Sequence, residues 1–134
     1  MKNYSSLVLR VGLALVFMWF GWSQLFDQSK WLSLIPSWAV SVSGMSASTL
    51  VVVNGGFEII AAILLSAGLW IRPVTFLLFI HLGMIVGDVG LTAVGVRDIG
   101  LMLATLSVFL RGADEYSFDQ AKSLVSTATI QPSI

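Results

Sequence analysis

The chain has 134 residues, the size of one ordinary domain, and 57% of them are apolar, with 12 Gly besides. Charged residues make up 10%, against roughly 25% in soluble domains, too few to coat a soluble fold or to support a disordered one. Seven basic and seven acidic side chains cancel, which leaves no basic face for nucleic acid, and the absence of Cys removes disulfides, thiolate nucleophiles, iron–sulfur clusters and zinc-thiolate sites from this chain.

What remains is an all-α integral membrane protein. Four segments approach the ~20 apolar residues that a spanning helix needs. They run over residues 7–26, 47–70, 73–94 and 96–110, within a four-span bundle over residues 1–112. The first is free of charge from Val11 to Phe26. Lys2 and Arg10 make its start positive, but no small-x-small cleavage site follows, so it reads as a retained helix rather than a signal peptide. Arg10 is expected to snorkel to the headgroups. Residues 27–46 hold Trp31, Leu34, Ile35, Pro36 and Trp38, which predicts a segment lying at the headgroup level.

The second span contains Glu58. Arg72 is expected to end it, against the negative pole of the helix dipole, and Pro73 to open the third span, where a missing N–H is harmless. The third span contains His81 and Asp88. By helical period, His81, Asp88 and Thr92 share a face within about 40°. Gly83, Gly87 and Gly90 lie opposite as an expected close-packing face, and Phe79, Leu82, Val86 and Val89 are left for lipid. The fourth span carries Arg97 and Asp98 near its start and ends at Arg111-Gly112, where Gly suits a left-handed cap. Asp98 reads first as a helix cap. Residues 113–134 read as a polar cytoplasmic tail with a turn and one short helix.

Lys and Arg fix an expected orientation. Lys2, Arg10, Arg72, Arg111 and Lys122 fall on one side, Lys30 and Arg97 on the other. Both termini are therefore expected in the cytoplasm.

Depth brings the polar residues together. At ~1.5 Å per residue, Glu58, Asp88 and Arg97 all lie about 18–22 Å from the cytoplasmic helix ends, His81 about 12 Å and Asn54 about 24 Å. Charges inside a bilayer turn inward, pair or line a cavity. The expected site is therefore Glu58, Asp88 and Arg97, with Asn54, His81 and Asp98 as neighbours and Trp22 available to stack on a ligand ring. A carboxyl that exchanges a proton beside an arginine suits proton-coupled chemistry or the holding of a polar headgroup. The alternative is a Glu58–Arg97 ion pair that only ties two spans together. A lone His cannot give bis-His haem ligation, and His81 reads more readily as a hydrogen-bonded interior residue than as a metal ligand. No metal site is expected.

The order of motifs carries a resemblance. Arg10 precedes an apolar stretch ending Phe20-Gly21-Trp22-Ser23-Gln24-Leu25-Phe26. Gly55-Gly56-Phe57-Glu58 leads to Gly68-Leu69-Trp70-Ile71-Arg72-Pro73. Arg97-Asp98-Ile99-Gly100 opens the last span, and Ser117-Phe118-Asp119 follows it. This set resembles the DoxX family of small four-helix membrane proteins, from about Arg10 to Asp119.

The resemblance implies a four-helix bundle of the cytoplasmic (inner) membrane, with Arg10, Glu58, Arg97 and Asp98 at matching positions. Some relatives are linked to thiosulfate:quinone oxidoreduction, others to complexes handling thiol or oxidative stress. A quinone is the implied cofactor, and a soluble or membrane redox partner the implied associate. With no Cys here, the sulfur must come from a partner or a diffusible substrate. Two other readings stand beside it: a non-enzymatic membrane anchor or assembly helper for a redox partner, and a small transporter acting as a homo-oligomer.

Overall fold

The computed structural model describes residues 4–130. Six α-helices follow one another: α1 (Tyr4–Phe26), α2 (Ser37–Ser43), α3 (Ala47–Ala67), α4 (Ile71–Val89), α5 (Ala93–Arg111) and α6 (Phe118–Ile130). Two 3-10 turns, Gln28–Lys30 and Leu32–Leu34, lie between α1 and α2. Among the described residues there is no strand. Helices α1, α3, α4 and α5 are long and apolar enough to cross a membrane. At ~1.5 Å per residue they measure about 28–35 Å, the thickness of a bilayer's hydrocarbon core.

The four long helices form an antiparallel bundle in which α1 lies along α3 and α4 along α5. Leu13, Phe17, Ala62, Leu65, Ile71, Leu78 and Leu82 fill its core. Two buried threonines need no partner from another helix. Thr75 Oγ1 donates to the Ile71 carbonyl at 2.6 Å and Thr105 Oγ1 to the Leu101 carbonyl at 2.7 Å.

The close helix contact lies elsewhere than the glycine pattern of the third span suggests. A methyl group added to Gly83 would meet only Met102 Sδ at 3.7 Å, and one on Gly87 nothing within 4 Å. Of the expected glycines only Gly90 is closely approached, by Gly95 at the α4–α5 turn; within the spans Gly21 and Gly55 are the tight pair. A methyl on Gly21 would sit 2.6 Å from the Gly55 carbonyl oxygen and 2.7 Å from Ile59 Cγ1. Leu82, expected against lipid, is buried in the core. Thr92 lies beyond α4 and caps α5 instead, accepting from Gly95 N–H at 3.2 Å.

The α3–α4 turn also departs from expectation. Gly68, at φ 70°, ends α3 in the left-handed region, and Leu69 N–H reaches back to the Leu64 carbonyl at 2.9 Å. Arg72 therefore falls in the first turn of α4 rather than the last turn of α3, and Pro73 sits in that first turn. Trp70 takes a positive φ of 50°, uncommon for a bulky residue. Asp119 answers the strain from the start of α6. Its carboxylate accepts from Trp70 N–H at 3.0 Å and Ile71 N–H at 2.9 Å, and its own N–H donates to the Gly68 carbonyl at 3.1 Å.

Arg10 does not snorkel: it is only 1% exposed. Nε donates to Asp114 Oδ2 at 2.6 Å and Nη2 to Oδ1 at 3.3 Å. Nη1 donates to the Leu65 and Ser66 carbonyls at 2.5 and 2.7 Å. The last carbonyls of a helix lack donors of their own, and a guanidinium supplies several. The segment after α5 thus begins as part of the bundle, with Asp114 and Ser117 buried.

Two stability measurements follow. Gly21→Ala should cost about 1–3 kcal/mol by overpacking against backbone, read as a lowered melting temperature in detergent; an unchanged temperature would refute the close approach. Arg10→Leu strands the Asp114 carboxylate and should cost about 3–5 kcal/mol, a larger drop in the same assay.

Candidate functional site

The opposite end of the bundle opens into a cavity of about 310 Å³. The C-terminal half of α1, the N-terminal half of α3, the end of α4 and the start of α5 form its walls, and residues of the α1–α3 connection close over it. Trp31 fixes that connection. Its Nε1–H donates to Ser23 Oγ at 3.0 Å, and its ring meets Phe20 edge-on at 5.8 Å.

Glu58, only 3% exposed, is the centre of a hydrogen-bonded cluster drawn from three helices. Gln24 Nε2 of α1 donates to Oε2 at 2.9 Å. Asn54 Nδ2, one helical turn before Glu58, donates to Oε1 at 3.2 Å and to Gln24 Oε1 at 2.7 Å. His81 Nε2 of α4 lies 3.1 Å from Oε1. The His81 ring also packs edge-on against Phe57. Placing Asn54 and Glu58 four residues apart puts both on one stripe of α3, so one turn of helix presents two polar groups to the same neighbours.

Arg97 and Asp98 make the second polar centre. Arg97 Nε donates to Asp98 Oδ1 at 2.7 Å, and its guanidinium lies over the Phe20 ring, 4.7 Å from the centroid. Asp98 is 2% exposed, and among the described residues no donor reaches its Oδ2. Consecutive helical residues do not normally face each other. Here Arg97 folds back because its partly exposed side chain also covers Phe20 at the cavity wall.

Most of the expected residues meet at one place. Glu58, Asn54, His81, Asp88, Arg97 and Asp98 all line the cavity. Asp88 stands exposed at it, with no ion-pair partner among the described residues. Three expectations need correction. Glu58 and Arg97 are not an ion pair: Arg97 holds Asp98, and Glu58 holds two amides and an imidazole. Asp98 is not a cap, because Thr92 takes that position six residues earlier. Trp22 faces outward at 59% exposure, its ring tilted against Phe26 at 4.4 Å, about 200° around the helix from Gln24.

A sequence model of the DoxX family matches residues 5–93. The chain belongs to the DoxX family. Comparison with curated proteins and with solved structures finds no match. Membership and the four apolar helices make this a multi-pass membrane protein. Of the cavity's polar groups, Gln24, Asn54, Glu58, His81 and Asp88 fall inside the family match, whereas Arg97 and Asp98 lie just beyond it.

Gln24 was not among the residues expected in the site. It carries the only carboxamide in the charge-free run of α1, and that signal was available. Gln24→Leu removes the donor to Glu58 and the acceptor for Asn54 together. It should cost about 1–3 kcal/mol, the penalty of stranding buried polar groups, measured by thermal unfolding. A variant as stable as the parent would show that the cluster does not need Gln24.

Proposed function

We propose that this DoxX-family protein is the membrane subunit of a quinone-linked oxidoreductase system that oxidises thiosulfate or thiols, and that its cavity takes a quinone headgroup. The observation that carries this reading is the cavity itself: apolar walls around two polar centres, each with a buried carboxylate, at the end of a bundle of four apolar helices. The walls suit a flat apolar ring. The polar groups suit the two ring oxygens, which accept hydrogen bonds in one redox state and donate them in the other.

When bound, a quinone supplies a two-electron, two-proton acceptor for a reduced sulfur donor. The residues then have distinct roles. His81 and Glu58, hydrogen-bonded to each other, hold and pass a proton at the cavity wall. Gln24 and Asn54 fix the Glu58 carboxylate. Arg97 places positive charge where a reduced headgroup gains negative charge. Asp98 Oδ2, without a donor among the described residues, would accept from a ligand hydroxyl. Asp88 at the rim connects the cavity to water. Since the chain has no Cys, the donor is a diffusible sulfur compound or a soluble partner that delivers its electrons to the headgroup.

The Lys and Arg distribution supports an orientation with the Arg72 and Arg111 end in the cytoplasm of a bacterial-type inner membrane. The cavity then opens at the outer leaflet.

Mass spectrometry of a solvent extract decides the reading. The protein is purified in polymer discs that retain native lipid, beside Glu58→Gln, which preserves side-chain shape. The expected result is a stoichiometric quinone in the parent and its loss in the variant, with both melting at similar temperatures. No quinone in the parent would overturn the proposal and favour an anchor or assembly role.

A further inference from the structure

A second recess, of about 240 Å³, lies at the other end of the bundle, where Ser5 and Ser6 of α1 meet Ser107, Arg111 and Gly112 at the end of α5. Ser6 is 7% exposed, and among the described residues its Oγ has no hydrogen-bond partner. A buried hydroxyl left unmatched is costly, and most such groups in native proteins are satisfied.

Two cations stand beside it. Arg111 lines the recess, exposed, with no acceptor for its guanidinium among the described residues. Arg72, also exposed and likewise without an acceptor, lies against Gly112: a methyl group there would sit 2.9 Å from Arg72 Nε. Gly112 has φ 74° and ψ −146°, a conformation essentially confined to glycine. The backbone is therefore kept bare at the point where the Arg72 guanidinium approaches. One carboxylate, Asp114, also lines the recess, but Arg10 engages both its oxygens and Tyr116 N–H donates to Oδ1 at 2.9 Å. Its charge is already answered.

We propose that this recess binds a phosphate group, held by the Arg111 and Arg72 guanidiniums and the Ser6 hydroxyl. Guanidinium forks match phosphate oxygens, and a tetrahedral anion offers acceptors in several directions at once. The site is independent of the quinone reading. It lies where α1 begins and α5 ends, the level of lipid headgroups for helices that cross a bilayer, so an anionic phospholipid is one source of the phosphate and a free phosphate the other.

Native mass spectrometry of the full chain in detergent tests it, with equimolar phosphatidylglycerol and phosphatidylcholine. The expected result is one phosphatidylglycerol retained in preference. Arg111→Gln should weaken that preference about tenfold, the loss of one charged hydrogen bond. Ser6→Ala should weaken it too, while the lipid-free protein melts at an equal or higher temperature, an effect that a merely structural serine would not give. Displacement of the lipid by millimolar inorganic phosphate assigns the site to free phosphate, and persistence assigns it to the lipid. Equal retention of both lipids with no inorganic phosphate bound, or retention unchanged in Arg111→Gln, overturns the site.

Discussion

The bundle hangs on the burial of Arg10. Its guanidinium reaches three parts of the chain that sequence holds far apart: the helix it belongs to, the last carbonyls of α3, and Asp114 beyond α5. In an apolar medium each of these groups is expensive alone. Together they are satisfied, and the satisfaction is directional, because a planar guanidinium fixes angles as well as distances. The α3–α4 turn is tied down beside it through Asp119. One end of the four helices is thus closed by hydrogen bonds.

At the other end the α1–α3 connection, folded into two 3-10 turns and the short α2, lies over the cavity. The two buried carboxylates in that cavity have been given different company. Glu58 is surrounded by donors from its own chain and is already positioned. Asp98 has one oxygen held by Arg97 and, among the described residues, no donor at the other. The first carboxylate is fixed from three helices and the second from one neighbouring side chain.

The four spans were legible because hydropathy over ~20 residues is the strongest signal a membrane protein offers. Their depth alignment also put Glu58, Asp88 and Arg97 near one level, with Asn54, His81 and Asp98 as neighbours, and all six line the cavity. The pairings were not legible. Depth gives height along the bundle and says nothing of which helix faces which, so Arg97 was matched to Glu58 when its own neighbour was nearer. The partner of Arg10 lies 104 residues away, in a segment whose polar composition reads as tail. Glycine spacing was misleading for a similar reason. Gly83 and Gly87 fit a packing motif, but the tight contact formed at Gly21 and Gly55, whose separation in sequence has no period to betray it. Arg72 lies on the far side of its turn from the dipole-based expectation because Gly68, in the left-handed region, ends α3 first.

The reliance of the α3–α4 turn on Asp119 has a consequence for biosynthesis. A chain inserted from its N-terminus places α1 and α3 in the bilayer long before residues 114 and 119 leave the ribosome. Until then Arg10 has only the α3 carbonyls, and the Trp70 and Ile71 amides have no side-chain acceptor. The two groups that close the bundle are made after all four spans. The final arrangement is therefore sealed from its last-made segment backward.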